Sequence, residues 1–512
     1  MLLSLLVIIP FFGSIISFFS FQLKQCIPRY VAIFSIVLTL LISIKLWFFD
    51  SSHVYQIKNY PHWNHELILS WIPRFGVEFH LAVDSFSMIM LFLTFFLGII
   101  SIFSAWNEVK ENEGFFYFNI MLALTGVIGI FIACDLFLFF FFWEIVSIPM
   151  YFLIALWGNN KKNKTHAINA ANKFFIYSQI SGLLILISTF LLVFNYYQNT
   201  HVFTFNYNLL LFNSINPNIE YMIMLAFFIA FVIKMPIVPF HSWLSDFHVE
   251  SSYCGSIDII GALLKTAPYA LFRYNITLFP NSMHKFAPIA MFLGLFSIFY
   301  GSLLAFSQTN IKRLIAYASI SHMGLILIAI YSNNEISFQG IVVQIISSSL
   351  STAALCILSG QIYKYFKTQN ILEMGGFWSN FYWIPAFSLF FSLANLGLPG
   401  TGNFIGEFLI LFGMFKTYSI VSVIAVISIV FSSIYSLHMM QRIYYGSSKQ
   451  KHAIIFPNMK EFGISIILIF TLLFVGLIPQ KILNISTDTI SSIYYFQKKI
   501  VNSISKQGFN KQ

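Results

Sequence analysis

Residues 229–240 read IAFVIKMPIVPF, an apolar run that holds one lysine, Lys234, and two prolines, Pro236 and Pro239. Two other runs repeat the pattern of a charge inside an apolar stretch: FFFFWEIVSIPMYF at 139–152 places Glu144, and LANLGLPGTGNFIGEFLILF at 393–412 places Glu407. An ionised side chain at the centre of a membrane helix costs roughly 2.5–3.5 kcal/mol, so a chain that keeps several is using them to move or hold charge. Proline removes a backbone donor and glycine tolerates irregular torsions. The runs around Lys234 and Glu407 are therefore predicted to be discontinuous helices, which a membrane accepts only where they line protein or water.

The composition fits that setting. The chain has 512 residues, of which 58% are hydrophobic and 9% charged, with 62 phenylalanines. A soluble protein of this size could not hide that much apolar surface in ordinary cores. The class is an all-α polytopic membrane protein. Apolar runs near 2–21, 27–49, 83–104, 115–133, 136–157, 173–195, 219–240, 253–274, 286–307, 311–331, 338–362, 384–417, 419–444 and 462–484 are predicted as about fourteen transmembrane spans, with spans seven and twelve discontinuous. Met1–Phe21 has no basic residue ahead of its apolar core, so the first run is expected to remain as an uncleaved span.

Lysine and arginine sort by loop. Loops after odd-numbered spans carry Lys24, Arg29, Lys110, Lys161, Lys162, Lys164, Lys312, Arg313, Lys364 and Arg442 among others, whereas those after even-numbered spans carry only Lys58, Arg74, Arg273, Lys285 and Lys416. The positive-inside rule makes the first set cytoplasmic and turns both termini outward, in a multi-pass protein of a bacterial inner membrane. The formal charge of +10 is spread over short loops rather than one face, which argues against a nucleic-acid partner. The four cysteines (Cys26, Cys134, Cys254, Cys356) stand singly, without the spacing of an iron–sulfur cluster, structural zinc or disulfide framework. The loop with His53, His62, His65 and His80 reads as a covering loop rather than a metal site.

Lys234 and Glu407 are 173 positions apart, matching the offset between five-span blocks that begin near 115 and 286. Five spans is an odd number, so the second block must run inverted, as in secondary transporters. The chain divides into 1–114 (three spans and an external loop), 115–274 (first repeat), 286–444 (second repeat) and 445–512 (final span and tail). Lys265 and Asp258 are predicted to share a face of span eight, seven residues apart. Lys45 and Lys173 lie near span ends and can reach the interface. His322 sits mid-span in span ten, one turn after Ser319, with two nitrogens able to pass a proton. Adding the repeat offset to Lys265 lands beside His438 on span thirteen.

Four stretches, KMPIVPFHSWLSDFH (234–248), GSIDIIGALLKTAPYALFRY (255–274), QTNIKRLIAYASISHMG (308–324) and LGLPGTGNFIGEFLILFG (396–413), closely resemble the antiporter-like membrane subunits of respiratory complex I. The resemblance runs from about 70 to 445. It implies a proton-translocating subunit of fourteen helices with no cofactor of its own; NADH, FMN, iron–sulfur clusters and quinone would belong to partner subunits, with subunits L and N as neighbours. It further implies that Lys234 faces Glu144, that Lys265 is the central proton carrier, that Glu407 is the terminal group and that His322 relays between them, with Lys173, His241 and His248 as auxiliary candidates. Subunits L and N and the Mrp cation/proton antiporters usually carry lysine where this chain has Glu407, so an Mrp-type antiporter subunit is the alternative function. Ser348 replaces a histidine of span eleven, so the relay there must use serine hydroxyls and water, and His438 is a candidate substitute. Ser245, Ser252 and Tyr253 depart from the small residues and prolines of relatives.

Overall fold

The computed structural model describes residues 2–24, 26–48, 60–106, 108–158, 164–252, 255–263, 265–379, 383–446 and 459–509, with the side chains of 164, 262–263, 379 and 500–509 left aside. His53, Lys58, Lys161, Lys162, Tyr253 and Cys254 lie outside them. Twelve helices among the described residues are long and apolar enough to cross a membrane. The chain is a multi-pass membrane protein, and each apolar run expected from the sequence falls on helix, several with the expected ends: Leu136–Trp157, Ile311–Tyr331 and Ser419–Tyr444.

The ends are set by caps, because the first N–H groups of a helix have no partner of their own. Asp84, Asp135, Asn310 and Asn334 each turn a side-chain oxygen onto the first amides of the span that follows. Two spans form the middle of the molecule: Ile311–Tyr331 and Glu335–Phe366 are almost wholly enclosed by other helices, while Ser419–Tyr444 is mostly exposed at the periphery. Side chains on the two enclosed helices are therefore shielded from lipid.

Span seven stops at Lys234 and resumes as Ser242–Glu250, and span twelve is Trp383–Asn395 followed by Gly402–Phe415, the discontinuities expected from the prolines and glycines. Span eight departs from expectation. Instead of one helix over 253–274 it is Ser256–Leu263, then Thr266–Ala270, a π-helical turn Leu271–Asn275 and Ile276–Leu278, with Lys265 at the break. Pro268 lacks the amide that would bond back across the break, which removes one of the hydrogen bonds that would hold a continuous helix there.

Three further corrections follow. The described part of the connection between spans two and three forms a two-stranded antiparallel hairpin, His65–Ile72 against Val77–Val83, in which His80 Nε2 meets Glu66 Oε1 at 2.7 Å and His65 Nε2 meets the Leu46 carbonyl at 3.1 Å. The segment after the last span is a second long helix, Pro479–Phe509, not an extended tail; it lies against spans three and eleven, and Gln497 Nε2 donates to the Ile276 carbonyl at 3.2 Å. Arg273 is not in a loop. It is 1% exposed, paired with Asp84, and stacked 5.0 Å from the centre of the Trp63 ring.

Removing one partner of a fully buried pair leaves an uncompensated charge that costs about 3–5 kcal/mol. Arg273→Met is expected to lower the amount of folded, membrane-extracted protein and its midpoint of thermal unfolding. The paired change Arg273→Met with Asp84→Asn is expected to recover most of that loss. Asp135, in the connection ahead of span five, is buried and held up at about 6 by desolvation, against hydrogen bonds from the Leu138, Glu78 and Phe137 amides that pull it down. Its contribution to stability is full below the ordinary aspartate value of 3.8 and is lost as pH rises through about 6, a change of roughly 3 kcal/mol at most. Asp135→Asn keeps the capping oxygen, so melting curves of the variant at pH 5 and pH 7.5 are expected to lie closer together than those of the unaltered protein.

Candidate functional site

The broken ends of spans seven, eight and twelve meet the two enclosed helices, and the polar groups in that zone form a series. Lys234, the last residue of its helix and 2% exposed, donates to the Trp143 carbonyl at 3.2 Å and sits 4.3 Å from the centre of the Trp143 ring. Between Lys234 and Lys265 lies a cavity lined also by Trp243, His248, Ser319 and Thr352, with room for about two water molecules. Lys265, buried at the break in span eight, donates to Ser348 Oγ at 2.8 Å.

The series continues on span eleven. Ser348 Oγ donates to the Gln344 carbonyl at 2.5 Å. One turn from Ser348, the Gln344 amide lies 3.4 Å from His322 Nδ1, and that nitrogen is 3.5 Å from Glu407 Oε1. The other ring nitrogen of His322 faces Asn395 Oδ1 at 3.1 Å. Asn395 comes from the break in span twelve, where Asn403 Nδ2 donates to the Ala394 carbonyl at 2.8 Å and to Ser351 Oγ at 3.2 Å. Gly397 adopts φ +89° in that break, and a Cβ there would stand 2.7 Å from Glu407 Oε2, so the glycine gives both the turn and the space beside the carboxylate.

Glu144 stands apart from this arrangement. It is hydrogen-bonded by Gln179, and the ion pairs among the described residues do not join it to Lys234, whose ammonium is taken by the Trp143 carbonyl instead. Glu144 is half-buried and shares its helix face with Phe141 and Ile148, which are 43% and 50% exposed. The expected facing of Glu144 and Lys234 is thus open in this structure.

Asp258 is not a companion of Lys265. The break in span eight separates them, and Asp258 instead accepts from Lys312 Nζ at 2.9 Å, from His248 Nδ1 at 2.8 Å and from Ser251. Lys312 completes its shell with the carbonyls of Ser251 and Ser252, at 3.1 and 3.0 Å. This buried cluster includes His248, Asp258 and Cys356, which converge closely enough to invite a metal, but the Lys312 ammonium already occupies the cationic position. His241 packs its ring 5.1 Å from Tyr300. Lys173 pairs with Asp246 at 2.7 Å, with both side chains about one-third exposed, which agrees with the interfacial reading. His438 is half-buried with its ring 5.1 Å from Phe306, and no hydrogen bond among the described residues joins it to Lys265 or His322. Sequence reading missed Gln344, Asn395 and Lys312; the first two are uncharged, and Lys312 was counted as a loop cation.

Broken helices that bring buried lysines, a histidine and a carboxylate together at the middle of a helical membrane bundle define an ion-transport subunit of the antiporter-like class. The family model described as NADH:quinone oxidoreductase/Mrp antiporter, TM, matches residues 133–432. The chain is 66% identical over 500 residues to NADH-quinone oxidoreductase subunit M of Buchnera aphidicola subsp. Schizaphis graminum, covering 98% of this chain and all of that one. It is 47% identical over 508 residues to the subunit M of Escherichia coli K12, covering 99% of each. Among solved structures it is similar to a chain of respiratory complex I from Thermus thermophilus with bound NADH (TM-score 0.85, 25% identity, 97% of this chain and 99% of that one). It also shares its fold with a chain of the Mrp complex from Dietzia sp. (TM-score 0.80, 17% identity, 97% and 98%). The chain belongs to the NADH:quinone oxidoreductase/Mrp antiporter membrane family, in its subunit M branch. The complex I reading therefore stands over the Mrp alternative.

A Cβ added at Gly182 would lie 1.5 Å from Glu144 Oε1. The obstructing atom is the end of a flexible side chain. Gly182→Ala is accordingly expected to displace the carboxylate while leaving the complex assembled, and to reduce NADH-driven proton uptake by membrane vesicles at least several-fold.

Proposed function

We propose that this chain is the proton-translocating subunit M of a bacterial NADH-quinone oxidoreductase, acting as part of a translocase. NADH oxidation and quinone reduction take place in other subunits, which hold FMN, iron–sulfur clusters and quinone. This chain carries protons through Glu144, Lys234, Lys265, Ser348, His322 and Glu407. The observation that carries the reading is the series of close polar contacts from Lys265 to Glu407 through the two most enclosed helices, since ionisable groups kept at such depth despite their cost mark charge pathways.

Transport follows from the geometry. A Lys–Glu pair closed to about 4 Å at an effective dielectric near 20 gains roughly 4 kcal/mol. Moving one charge against about 150 mV costs roughly 3.5 kcal/mol. Closing and opening of Glu144 against Lys234 is thus large enough to drive one transfer. When Lys234 holds the Trp143 carbonyl, its proton faces the cavity shared with Lys265, where water can carry it. From Lys265 the proton reaches the His322–Glu407 pair across Ser348 and Gln344. Asp258, bound to Lys312 and His248, stays out of that exchange as a fixed charge.

The half-buried Glu144 supports a neighbouring membrane subunit on the face of spans five and six, because a carboxylate at that depth does not face lipid. Subunits L and N are the expected neighbours. The basic loops support an inner-membrane orientation with both termini outward.

The reading is tested with Glu144→Gln in membranes where a native gel shows the assembled complex. NADH-driven quinone reduction and proton uptake are both expected to collapse. If both persist, Glu144 is structural and the proton path runs without it.

A further inference from the structure

Gln344 is 0% exposed and stands between the lysine side of the series and its acidic end. Its side-chain nitrogen lies 3.4 Å from His322 Nδ1, which is itself 3.5 Å from Glu407 Oε1. That orientation requires His322 Nδ1 to be an acceptor, with the ring proton on Nε2 directed at Asn395 Oδ1. The side-chain oxygen, Oε1, is buried with no hydrogen-bond partner. A buried amide with one end satisfied and the other empty has a second orientation available, in which the unpaired oxygen is used. The space for it comes from Gly406: a Cβ at that position would stand 2.5 Å from Gln344 Oε1.

Resting on the proton-translocating reading above, we propose that Gln344 is a two-position gate, its carboxamide turning over as a proton passes from Lys265 to the His322–Glu407 pair. With nitrogen inward, the atom facing it, His322 Nδ1, carries no proton, and Glu407 Oε1 beside that atom is the next acceptor. With oxygen inward, the amide accepts from a proton held on one of them. In the forward step an N–H bond of Lys265 breaks, water or Ser348 Oγ passes the proton, and an N–H bond forms at His322 Nδ1. That bond then breaks as an O–H bond forms on Glu407, 3.5 Å away. Gln344 itself gains and loses no proton. It acts as a positioning residue: it admits a proton to His322 in one orientation and blocks Nδ1 with its own N–H in the other. A carboxamide suits this because it presents a donor and an acceptor of nearly equal shape and does not titrate.

The test uses the assembled complex in membrane vesicles, with NADH-driven proton uptake and quinone reduction measured together. Gln344→Met keeps the volume and removes both hydrogen-bonding ends; proton uptake is expected to fall at least five-fold. In a Ser348→His background, an imidazole can reach from Lys265 toward His322, and the same Gln344→Met change is expected to cost less than two-fold. Retention of more than half the uptake by Gln344→Met, or an equal loss in both backgrounds, overturns the gate. Gln344→Glu has the same shape but offers oxygen in both positions and titrates. It is expected to make proton uptake depend on pH between 6 and 9 more steeply than in the unaltered complex, and an unchanged pH profile overturns the gate even if the methionine variant fails to assemble. If the unaltered complex takes up no protons on NADH oxidation, the translocation reading itself falls, an outcome distinct from a normal pump indifferent to Gln344.

Discussion

Hydrocarbon offers no hydrogen bonds, and every polar group carried into it must find a partner within the protein. The structure is organised around that constraint. Spans seven, eight and twelve each break part-way along, and the breaks are tolerated because they turn inward onto the two helices most enclosed by the rest, Ile311–Tyr331 and Glu335–Phe366. Those helices carry His322, Gln344 and Ser348, while the breaks bring Lys234, Lys265, Asn395 and the start of the helix bearing Glu407. The backbone's need for partners at the breaks and the side chains' need for partners at depth are met in the same zone.

Two kinds of buried charge result. Arg273 with Asp84, and Lys312 with Asp258, are closed by direct ion pairs and further hydrogen bonds, so either charge could leave only at the full cost of the one left behind. Lys234 and Lys265 instead hold neutral oxygens, the Trp143 carbonyl and Ser348 Oγ, on either side of a cavity. A lysine bound only to neutral acceptors can lose its proton without stranding a counter-charge. The difference in partners divides closed ion pairs from lysines that hold only neutral acceptors, although all four cations are nearly excluded from solvent.

The sequence made the membrane class, the spans and the charged members of the site legible, because each is a local signal. Lys234 and Glu407 stand beside Pro and Gly breaks, and Glu144 interrupts an aromatic run. What it concealed depends on distance or on neutrality. Asp84 and Arg273 are 189 residues apart, and Asp258 and Lys312 are 54 apart, so their pairing is a property of the fold. Gln344 and Asn395 carry no charge and leave hydropathy almost unchanged. The break in span eight was signalled only by Pro268, and an apolar run with a single proline reads as a kinked helix. The hairpin between spans two and three was present as alternation in VEFHLAV but was masked by the surrounding apolar composition.

The central claim is that Lys265 is the mobile link between the two halves of the series. The direct measurement is the ratio of protons moved to electrons transferred, in reconstituted complex carrying Lys265→Met, with assembly confirmed. A fall in that ratio or a parallel collapse of both activities is the predicted result. Full turnover at an unchanged ratio would contradict the account, since protons would then be crossing without the lysine that joins the cavity to Ser348.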